Sequence, residues 1–189
     1  MTEELASVET AGPFRYCPYC GAMLVLAHKG DRLRPSCGRC GFVHYRNPVV
    51  GVAVVVQRHG EVLLGRRAGS YRGLWCIPCG YVEWDEDVRE AACRELEEET
   101  GLRVRLGGVY AVQSNFHNPR LHTVGIWFQA EDPGGSPLAG DDLEDLRFFP
   151  LDALPDSLAF PTDRLVLDRL RSARSPTSGP TVSAHGESL

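Results

Sequence analysis

The most continuous hydrophobic pattern in the chain is the run VVGVAVVV, which extends from Val49 to Val56. The turn Arg58-His59-Gly60 separates this run from a second one, EVLLGRR. Together they predict a β-hairpin in which Gly60 supplies the unusual backbone dihedral. The first run has the length of a buried strand and is too short to cross a membrane. The hairpin is therefore expected to form the core of the main domain.

A helical pattern begins after residue 85. Asp87 can cap the helix, Glu90 completes a capping box three residues later, and Gly101 is suited to end the helix. Four apolar residues recur at helical spacing and predict a buried face: Val88, Ala91, Ala92 and Leu96. The helix is therefore expected to bury one side and expose the other.

The rest of the chain adds three strands and one more helix. The same patterns predict strands and then a last helix at Gly108–Gln113, Thr123–Ala130, Leu146–Phe149 and Thr162–Arg171. Strands and helices mixed in this order predict a layered α/β domain. Residues 1–13 and 172–189 lack hydrophobic periodicity and are rich in polar or turn-forming residues, so both ends are predicted to be flexible.

Three glutamates lie on one side of the predicted helix. Glu95, Glu98 and Glu99 stand at positions i, i+3 and i+4, roughly opposite the buried face. Arg94 can offset part of their mutual repulsion but cannot neutralise the group. Hard oxygen ligands from one helical turn suit Mg²⁺ or Mn²⁺, which usually also hold substrate phosphates. The alternative is a solvated acidic surface.

Composition and charge narrow the class of protein. The 189 residues are 43% hydrophobic and 24% charged, as in ordinary globular proteins. A formal net charge of −5 disfavours a dedicated duplex-DNA binder and makes nucleic acid an unexpected partner, although a local basic patch remains open. The first residues lack the basic start and apolar stretch of a secretory signal, which predicts a cytoplasmic protein.

Four of the seven cysteines form two Cys-x-x-Cys pairs separated by sixteen residues. This spacing is typical of a four-thiolate structural Zn²⁺ site formed by Cys17, Cys20, Cys37 and Cys40. About thirty residues cannot bury much core, so zinc would supply the folding energy of a small zinc ribbon at residues 14–43. The alternative is four unrelated core cysteines.

From Gly80 onward the chain reads GYVEWDEDVREAACRELEEETGL. This stretch resembles the Nudix box at every position. The resemblance covers roughly residues 47–171 and implies a Nudix-type α/β/α sandwich with a mixed sheet. It also implies metal-dependent hydrolysis of the pyrophosphate bond in a nucleoside diphosphate linked to another moiety. The cysteine segment resembles the zinc ribbon that precedes some Nudix domains.

The same resemblance implies roles for individual residues. Glu95, Glu98 and Glu99 look like the Mg²⁺ ligands, joined by the Gly80 carbonyl. Arg94 looks like the residue that orients a glutamate, and Glu86 looks like a supporting position. The general base stays open between Glu95 and the acidic loop residues Asp141, Asp142 and Glu144.

Five residues are candidates for substrate binding: Arg66, Arg67, Trp75, Phe116 and Glu144. Neighbouring residues of a strand point to opposite faces, so at most one of the two arginines faces the site. Trp75 and Tyr71 can stack on a base or pack in the core. A third Cys-x-x-Cys pair, Cys76 and Cys79, is interpreted as small buried thiols in preference to a redox site.

Several substrates and functions stay open at this point. ADP-ribose, FAD, NADH and nucleotide sugars fit the implied chemistry, although a segment resembling that of NADH pyrophosphatases is absent. A second hypothesis is that the chain is a nucleoside triphosphate pyrophosphatase. A third hypothesis is a nucleotide sensor or nucleic-acid-binding regulator that has no catalytic activity. The resemblance is also compatible with a homodimer, but the sequence shows no dimer seam.

Overall fold

The computed structural model describes residues 14–131 and 134–174 of the chain. Two compact units divide the sequence at Pro48, a few residues beyond the predicted end of the ribbon. The flexible ends predicted for 1–13 and for 175–189 lie outside the described residues, whereas residues 172–174 are helical and were wrongly assigned to the tail. Within the described residues, no helix combines the length and the apolar character required to cross a membrane.

The N-terminal unit contains one antiparallel hairpin, formed by β1 (Val25–Lys29) and β2 (Arg32–Ser36). Tight turns hold the two Cys-x-x-Cys pairs. In each turn a glycine amide donates to the carbonyl of the first cysteine, from Gly21 at 2.9 Å and from Gly41 at 3.0 Å. Both glycines have a positive φ, which other residues adopt at a cost, so the two turns share one geometry.

The second unit is a layered domain with seven strands and two helices. In chain order its elements are β3 (Val49–Arg58), β4 (Glu61–Arg67), β5 (Trp75–Cys76), β6 (Cys79–Tyr81), α1 (Val88–Thr100), β7 (Leu106–Asn115), β8 (Thr123–Glu131), β9 (Leu143–Pro150) and α2 (Pro161–Arg174). The strands form one sheet of order β5-β4-β3-β8-β7, to which β6 is added at β3 and β9 at β4. Because β3 and β8 are parallel while the other pairs are antiparallel, the sheet is mixed.

Alternate residues of β3 pack on opposite faces of the sheet, as a strand buried on both sides requires. Val52, Val54 and Val56 belong to a core with α1, whereas Ala53 and Val55 belong to a second core with α2. The helices therefore cover the two faces of the sheet. The predicted α/β/α sandwich with a mixed sheet is confirmed.

The predicted hairpin is confirmed, but β3 and β4 pair only next to their turn, at Gln57↔Val62 and Arg58↔Glu61. Beyond those pairs β3 binds β6 and β8, and β4 binds β5 and β9. Gly60 has a φ of 87°, as expected for its place in the turn. Because β3 pairs with β4 only next to the turn, its earlier residues pair with β6, the strand that leads into α1.

The ends of α1 follow the predicted capping signals. The Asp87 side chain accepts hydrogen bonds from the amides of Arg89 at 2.8 Å and Glu90 at 3.4 Å. At the other end Gly101 adopts the left-handed conformation, and its amide donates to the Glu97 carbonyl at 2.8 Å. These caps fix where the helix begins and ends, and so which of its residues face the sheet.

Candidate functional site

A cavity of about 350 Å³ opens in the second unit beside β3, β6 and the body of α1. Its walls come from several elements that are distant in sequence. The lining residues relevant to chemistry are Arg67, Tyr71, Cys79, Gly80, Glu95, Glu99, Asn115, His117, Asp141, Asp142, Phe160 and Asp163. This volume lies within the range of small-molecule pockets.

Arg94 connects the loop before α1 to the carboxylates on the helix. Its Nε and Nη2 donate to Glu86 at 2.7 and 2.8 Å, and its Nη1 donates to Glu95 at 2.9 Å and to Glu98 at 3.0 Å. Nη2 also reaches the Tyr81 carbonyl at 3.1 Å. The bonds from Arg94 hold the pKa of Glu86 below its ordinary value. One guanidinium thus fixes the orientation of three glutamates.

Glu95 lies directly against the backbone of β6. A Cβ atom built on Gly80 would overlap the Glu95 carboxylate, so residue 80 must be glycine in this arrangement. Burial raises the pKa of Glu95, and the bonds from Arg94 act in the opposite direction. Strand β6, which carries the Gly80 carbonyl, and the Glu95 side chain therefore form one wall of the cavity.

Glu99 is almost fully buried, with 1% of its surface exposed. The expectation that all three glutamates lie opposite the buried face is wrong for this residue, because the short strand β6 covers the side of α1 that carries it. The Cys79 amide donates to Glu99 Oε2 at 2.8 Å. Burial raises the pKa of Glu99 to about 10, and the neighbouring Cys76 and Asp142 side chains act in the same direction.

Glu98 is the most exposed of the three glutamates and lies outside the cavity lining, held by Arg94. Within the described residues, the ligand atoms of the glutamates do not all approach within 4.8 Å of one another. In this arrangement the Arg94 guanidinium contacts both Glu95 and Glu98.

A second ion pair, formed by residues outside α1, also lines the cavity. Arg67 forms an ion pair with Asp142, and its Nε donates to the Ser70 carbonyl at 2.8 Å. The other carboxylate oxygen of Asp142, Oδ1, is buried and lacks a hydrogen-bond partner among the described residues. A protonated Glu99 carboxyl can donate to Asp142, and this interaction is one cause of the raised pKa of Glu99.

Only Arg67 of the five residues predicted to bind substrate lines this cavity. Arg66 points away from it and pairs with Glu144 at 3.0 Å, in agreement with the expectation that at most one of the two arginines faces the site. Trp75 is buried and packs edge-on against Phe149 with ring centroids 4.8 Å apart. Phe116 is exposed on the loop after β7. Asp141 and Asp142, in contrast, both line the cavity.

Three aromatic rings meet at the cavity wall, and the sequence analysis had not brought them together. Tyr71 lies 5.3 Å from Phe160 and 5.7 Å from His117 between ring centroids. Its hydroxyl is 2.9 Å from His117 Nε2, while His117 Nδ1 contacts the Asn115 side chain. Tyr71 has a φ of 60°, which is uncommon for a side chain of this size. The cluster gives the cavity an apolar surface suited to stacking on a base.

Asp163 was also missed by the sequence analysis. It is 2% exposed and accepts hydrogen bonds from the Ile77 amide at 3.0 Å and from Trp127 Nε1 at 3.2 Å. Burial raises its pKa to about 7. A signal was present, because Asp163 shares the helical face of the buried residues Val166 and Leu167. An acidic residue on a buried face indicates a specific polar contact.

The four cysteines of the N-terminal unit form a compact group of their own. Their sulfur atoms all lie within 4.8 Å of one another, and the pairs Cys17–Cys40 and Cys20–Cys37 are each 3.5 Å apart. Four thiolates bound to one tetrahedral Zn²⁺ would stand about 3.8 Å apart. Backbone donors in the turn, first the Cys40 amide, lower the pKa of Cys37 to about 6. The donor set therefore fits zinc.

The sequence profile of the NUDIX domain matches residues 45–170. The chain belongs to the Nudix hydrolase family. This Nudix chain is 36% identical over 129 residues to an ADP-ribose pyrophosphatase from Methanocaldococcus jannaschii, a match that covers 67% of the chain and 76% of that protein.

Two further relatives extend the match. The NAD-capped RNA hydrolase NudC of Chromobacterium violaceum is 33% identical over 164 residues, which cover 83% of this chain and 60% of that enzyme. The chain thus spans less than two thirds of the length of that relative. The crystal structure of a NUDIX hydrolase from Nitrosomonas europaea superposes with a TM-score of 0.75 at 32% identity, and covers 85% of this chain and 92% of that one.

Proposed function

We propose that this chain hydrolyses the pyrophosphate bond of a nucleoside diphosphate linked to another moiety, and that it requires Mg²⁺ or Mn²⁺. The observation that carries the proposal is the group of carboxylates at one cavity: Glu99 is almost fully buried, and Glu95, Asp141 and Asp142 line the same cavity. Several carboxylates that converge on one cavity supply the oxygen ligands that a divalent ion prefers.

The proposed ligands are Glu95, Glu98, Glu99 and the Gly80 carbonyl, and the donor set fits a hard cation. Burial keeps Glu99 protonated in the metal-free protein. A divalent cation that binds there would displace this proton and balance the charge of the ionised carboxylate. Asp142 adds a further carboxylate at the same cavity. Arg94 Nη1 donates to both Glu95 and Glu98, which supports a role for Arg94 in orienting these two proposed ligands.

A bound divalent ion neutralises charge on pyrophosphate oxygens and lowers the pKa of the attacking water. We propose Glu95 as the general base, because its carboxylate lines the cavity and its pKa is raised toward the range in which a base works near neutral pH. Asp142 is held by Arg67, and Glu144 pairs with Arg66 outside the cavity lining, which makes both weaker candidates. Asp141 remains the second candidate.

The proposed substrate class is one that carries an adenosine diphosphate linked to ribose. ADP-ribose and an NAD cap share this group, and they are the substrates in the names of two relatives of the chain. Arg67 is placed to bind a phosphate oxygen, and the rings of Tyr71, His117 and Phe160 are placed to stack on a base.

A direct test incubates the full chain with Mg²⁺ and a panel of ADP-ribose, FAD, NADH, a nucleotide sugar and the dNTPs, with products identified by mass. We expect cleavage of ADP-ribose into AMP and ribose 5-phosphate. Glu98→Gln should abolish it, whereas Glu97→Gln, an exposed residue on the same helix that pairs with Arg103, should not. Release of inorganic pyrophosphate from dNTPs would instead favour the hypothesis of a nucleoside triphosphate pyrophosphatase.

We further propose that Cys17, Cys20, Cys37 and Cys40 hold a structural zinc ion that stabilises the N-terminal unit. Among the described residues, the hydrophobic cluster of this unit has three buried members, and two of them are these cysteines, so the ion would supply much of the folding energy. Thiolate ligands persist in a reducing compartment, which supports a cytoplasmic location. Elemental analysis should find one zinc per chain in the wild type and in Cys93→Ser, but much less in Cys20→Ser.

A further inference from the structure

The two units of the chain differ strongly in charge. Residues 14–48 contain six lysines and arginines and a single acidic residue, Asp31, which give this segment a formal charge of +5. Residues 49–189 carry 14 basic and 21 acidic residues, a formal charge of −7. The net charge of the whole chain, from which nucleic acid was judged an unexpected partner, therefore conceals a strongly basic segment. Such segments attract phosphodiester backbones.

Three of these six basic residues lie on one face of the β1–β2 hairpin. Lys29 and Arg32 stand directly opposite each other across the two strands, and Ala27 stands opposite Arg34 on the same face. Like charges that face each other across a strand pair destabilise it. A row of three cations on one exposed face of a small hairpin is thus a local cost, which an anionic partner would relieve.

An aromatic ring extends this basic face. The Arg34 guanidinium lies over the ring of Tyr45 at 4.7 Å from its centroid, and Tyr45 remains 56% exposed. The Nε atom of Arg34 is buried and has no hydrogen-bond partner in the described part of the chain. Because this Nε is buried, it offers no donor to a ligand, and the face combines the exposed ring of Tyr45 with three cations.

We propose that this hairpin face, formed by Lys29, Arg32, Arg34 and Tyr45, binds single-stranded RNA. Cations that follow the backbone, together with an exposed ring on which unpaired bases stack, are the two components of single-strand binding. A duplex offers no free base face to Tyr45, which disfavours double-stranded partners. The choice of RNA over DNA rests on the proposed function, in which the pyrophosphate at the 5′ end of a capped RNA is one substrate.

The test measures fluorescence anisotropy of a labelled, unstructured 12-nucleotide RNA with the zinc-loaded full chain between 50 and 200 mM KCl. We expect the double variant Lys29→Gln/Arg32→Gln to lower the slope of log affinity against log salt by about 1.4, because each lost phosphate contact contributes about 0.7 for a single strand. The matched control Arg103→Gln/Arg171→Gln removes two exposed charges from the second unit and should leave the slope unchanged.

Stacking is tested separately from charge. Tyr45→Ala should weaken RNA binding roughly 5- to 150-fold, whereas Tyr45→Phe, which keeps the ring, should bind as the wild type does. Zinc content, measured for each variant, shows that the unit is intact. An equal loss in Tyr45→Phe, an equal change of slope in the control double variant, or equal binding of a duplex would overturn the proposal. Single-stranded DNA bound as tightly as RNA would overturn the assignment to RNA.

Hydrolysis of ADP-ribose separates this inference from the proposed function. The hairpin variants should cleave ADP-ribose at the wild-type rate, because none of the four residues lines the cavity. Wild-type protein that binds the RNA but cleaves no pyrophosphate would refute the proposed function and leave the RNA-binding face in place. Wild-type protein that cleaves ADP-ribose but shows no salt-dependent RNA binding would refute the RNA-binding face alone.

Discussion

The side chain of Glu95 occupies the space that a Cβ atom of residue 80 would fill, so Gly80 is required where β6 meets α1. Gly80→Ala should displace the Glu95 carboxylate and lower kcat about 100-fold, a usual cost of misplacing a reacting group by about 1 Å. Gly108→Ala is the matched control, because a Cβ atom there meets no atom within 4 Å. Equal activity in the two variants would contradict the proposed position of the general base.

Arg94 is predicted to act through geometry as well as charge. Arg94→Lys keeps the positive charge but cannot reach Glu86, Glu95 and Glu98 together, since an ammonium lacks the planar fork of donors. We expect kcat/KM to fall 10- to 100-fold and Mg²⁺ affinity to weaken by a similar factor. Arg89→Lys, at a residue bonded to the Leu106 and Gly107 carbonyls, should change neither constant. Equal activity of both variants would leave Arg94 a purely electrostatic role.

The local signals along α1 predicted its structure well, because caps depend on residues adjacent in sequence. The helix begins after Asp87, whose side chain caps the first turn, and it ends before Gly101, which adopts the left-handed conformation. The burial of Glu99 could not be predicted in this way. It depends on β6, a strand of three residues that pairs with β3 and is too short to produce a hydrophobic period.

Other parts of the site depend on contacts between distant segments. Sequence reasoning limited the cavity to one of Arg66 and Arg67, since neighbours alternate along a strand, but the choice of Arg67 required the pairing of β4 with β9. Phe160 joins Tyr71 and His117 only because α2 packs against the same sheet. The sequence therefore located the Nudix box along the chain, whereas the walls around it depend on contacts between segments that are distant in sequence.

The bond between Tyr71 and His117 is predicted to shape the substrate site. Tyr71→Phe removes a hydroxyl that lies 2.9 Å from His117 Nε2 and so loosens the aromatic cluster. We expect KM for ADP-ribose to rise about fivefold with little change in kcat, as the loss of one ordinary hydrogen bond implies. Tyr16→Phe, on an exposed ring of the N-terminal unit, serves as the control. A fall in kcat at constant KM would place Tyr71 in the chemical step instead.

Asp163 should make the stability of the chain depend on pH. Burial raises its pKa from 3.8 to about 7, so between these values the folded state holds a proton that the unfolded state has lost. The contribution of Asp163 to the free energy of unfolding should therefore fall as the pH rises through this range, by up to about 1.4 kcal/mol per pH unit, in addition to a fall of the same sign from Glu99, whose pKa is also raised. Urea denaturation at pH 5, 6 and 7 measures the slope.

The slope should be smaller in Asp163→Asn, although this variant should also lose about 1 to 3 kcal/mol at pH 5, because Ile77 and Trp127 donate to different carboxyl oxygens and an amide places an NH2 donor at one of these two positions. Asp168→Asn changes an exposed carboxylate on the same helix and should retain the wild-type slope. The assignment to Asp163 fails if both variants keep the full slope.

Glu99 should release a proton when the divalent ion binds. Its pKa of about 10 leaves the metal-free carboxyl protonated at pH 8, whereas a metal ligand must be ionised. Calorimetric titration with Mg²⁺ in buffers of different ionisation enthalpy should detect about one proton released per ion, and the apparent affinity should rise about tenfold per pH unit below pH 10. Glu99→Gln cannot release this proton and should bind Mg²⁺ more weakly, while Glu97→Gln should behave as the wild type does. Release of the same number of protons by Glu99→Gln would show that another group, and not Glu99, gives up its proton to the metal.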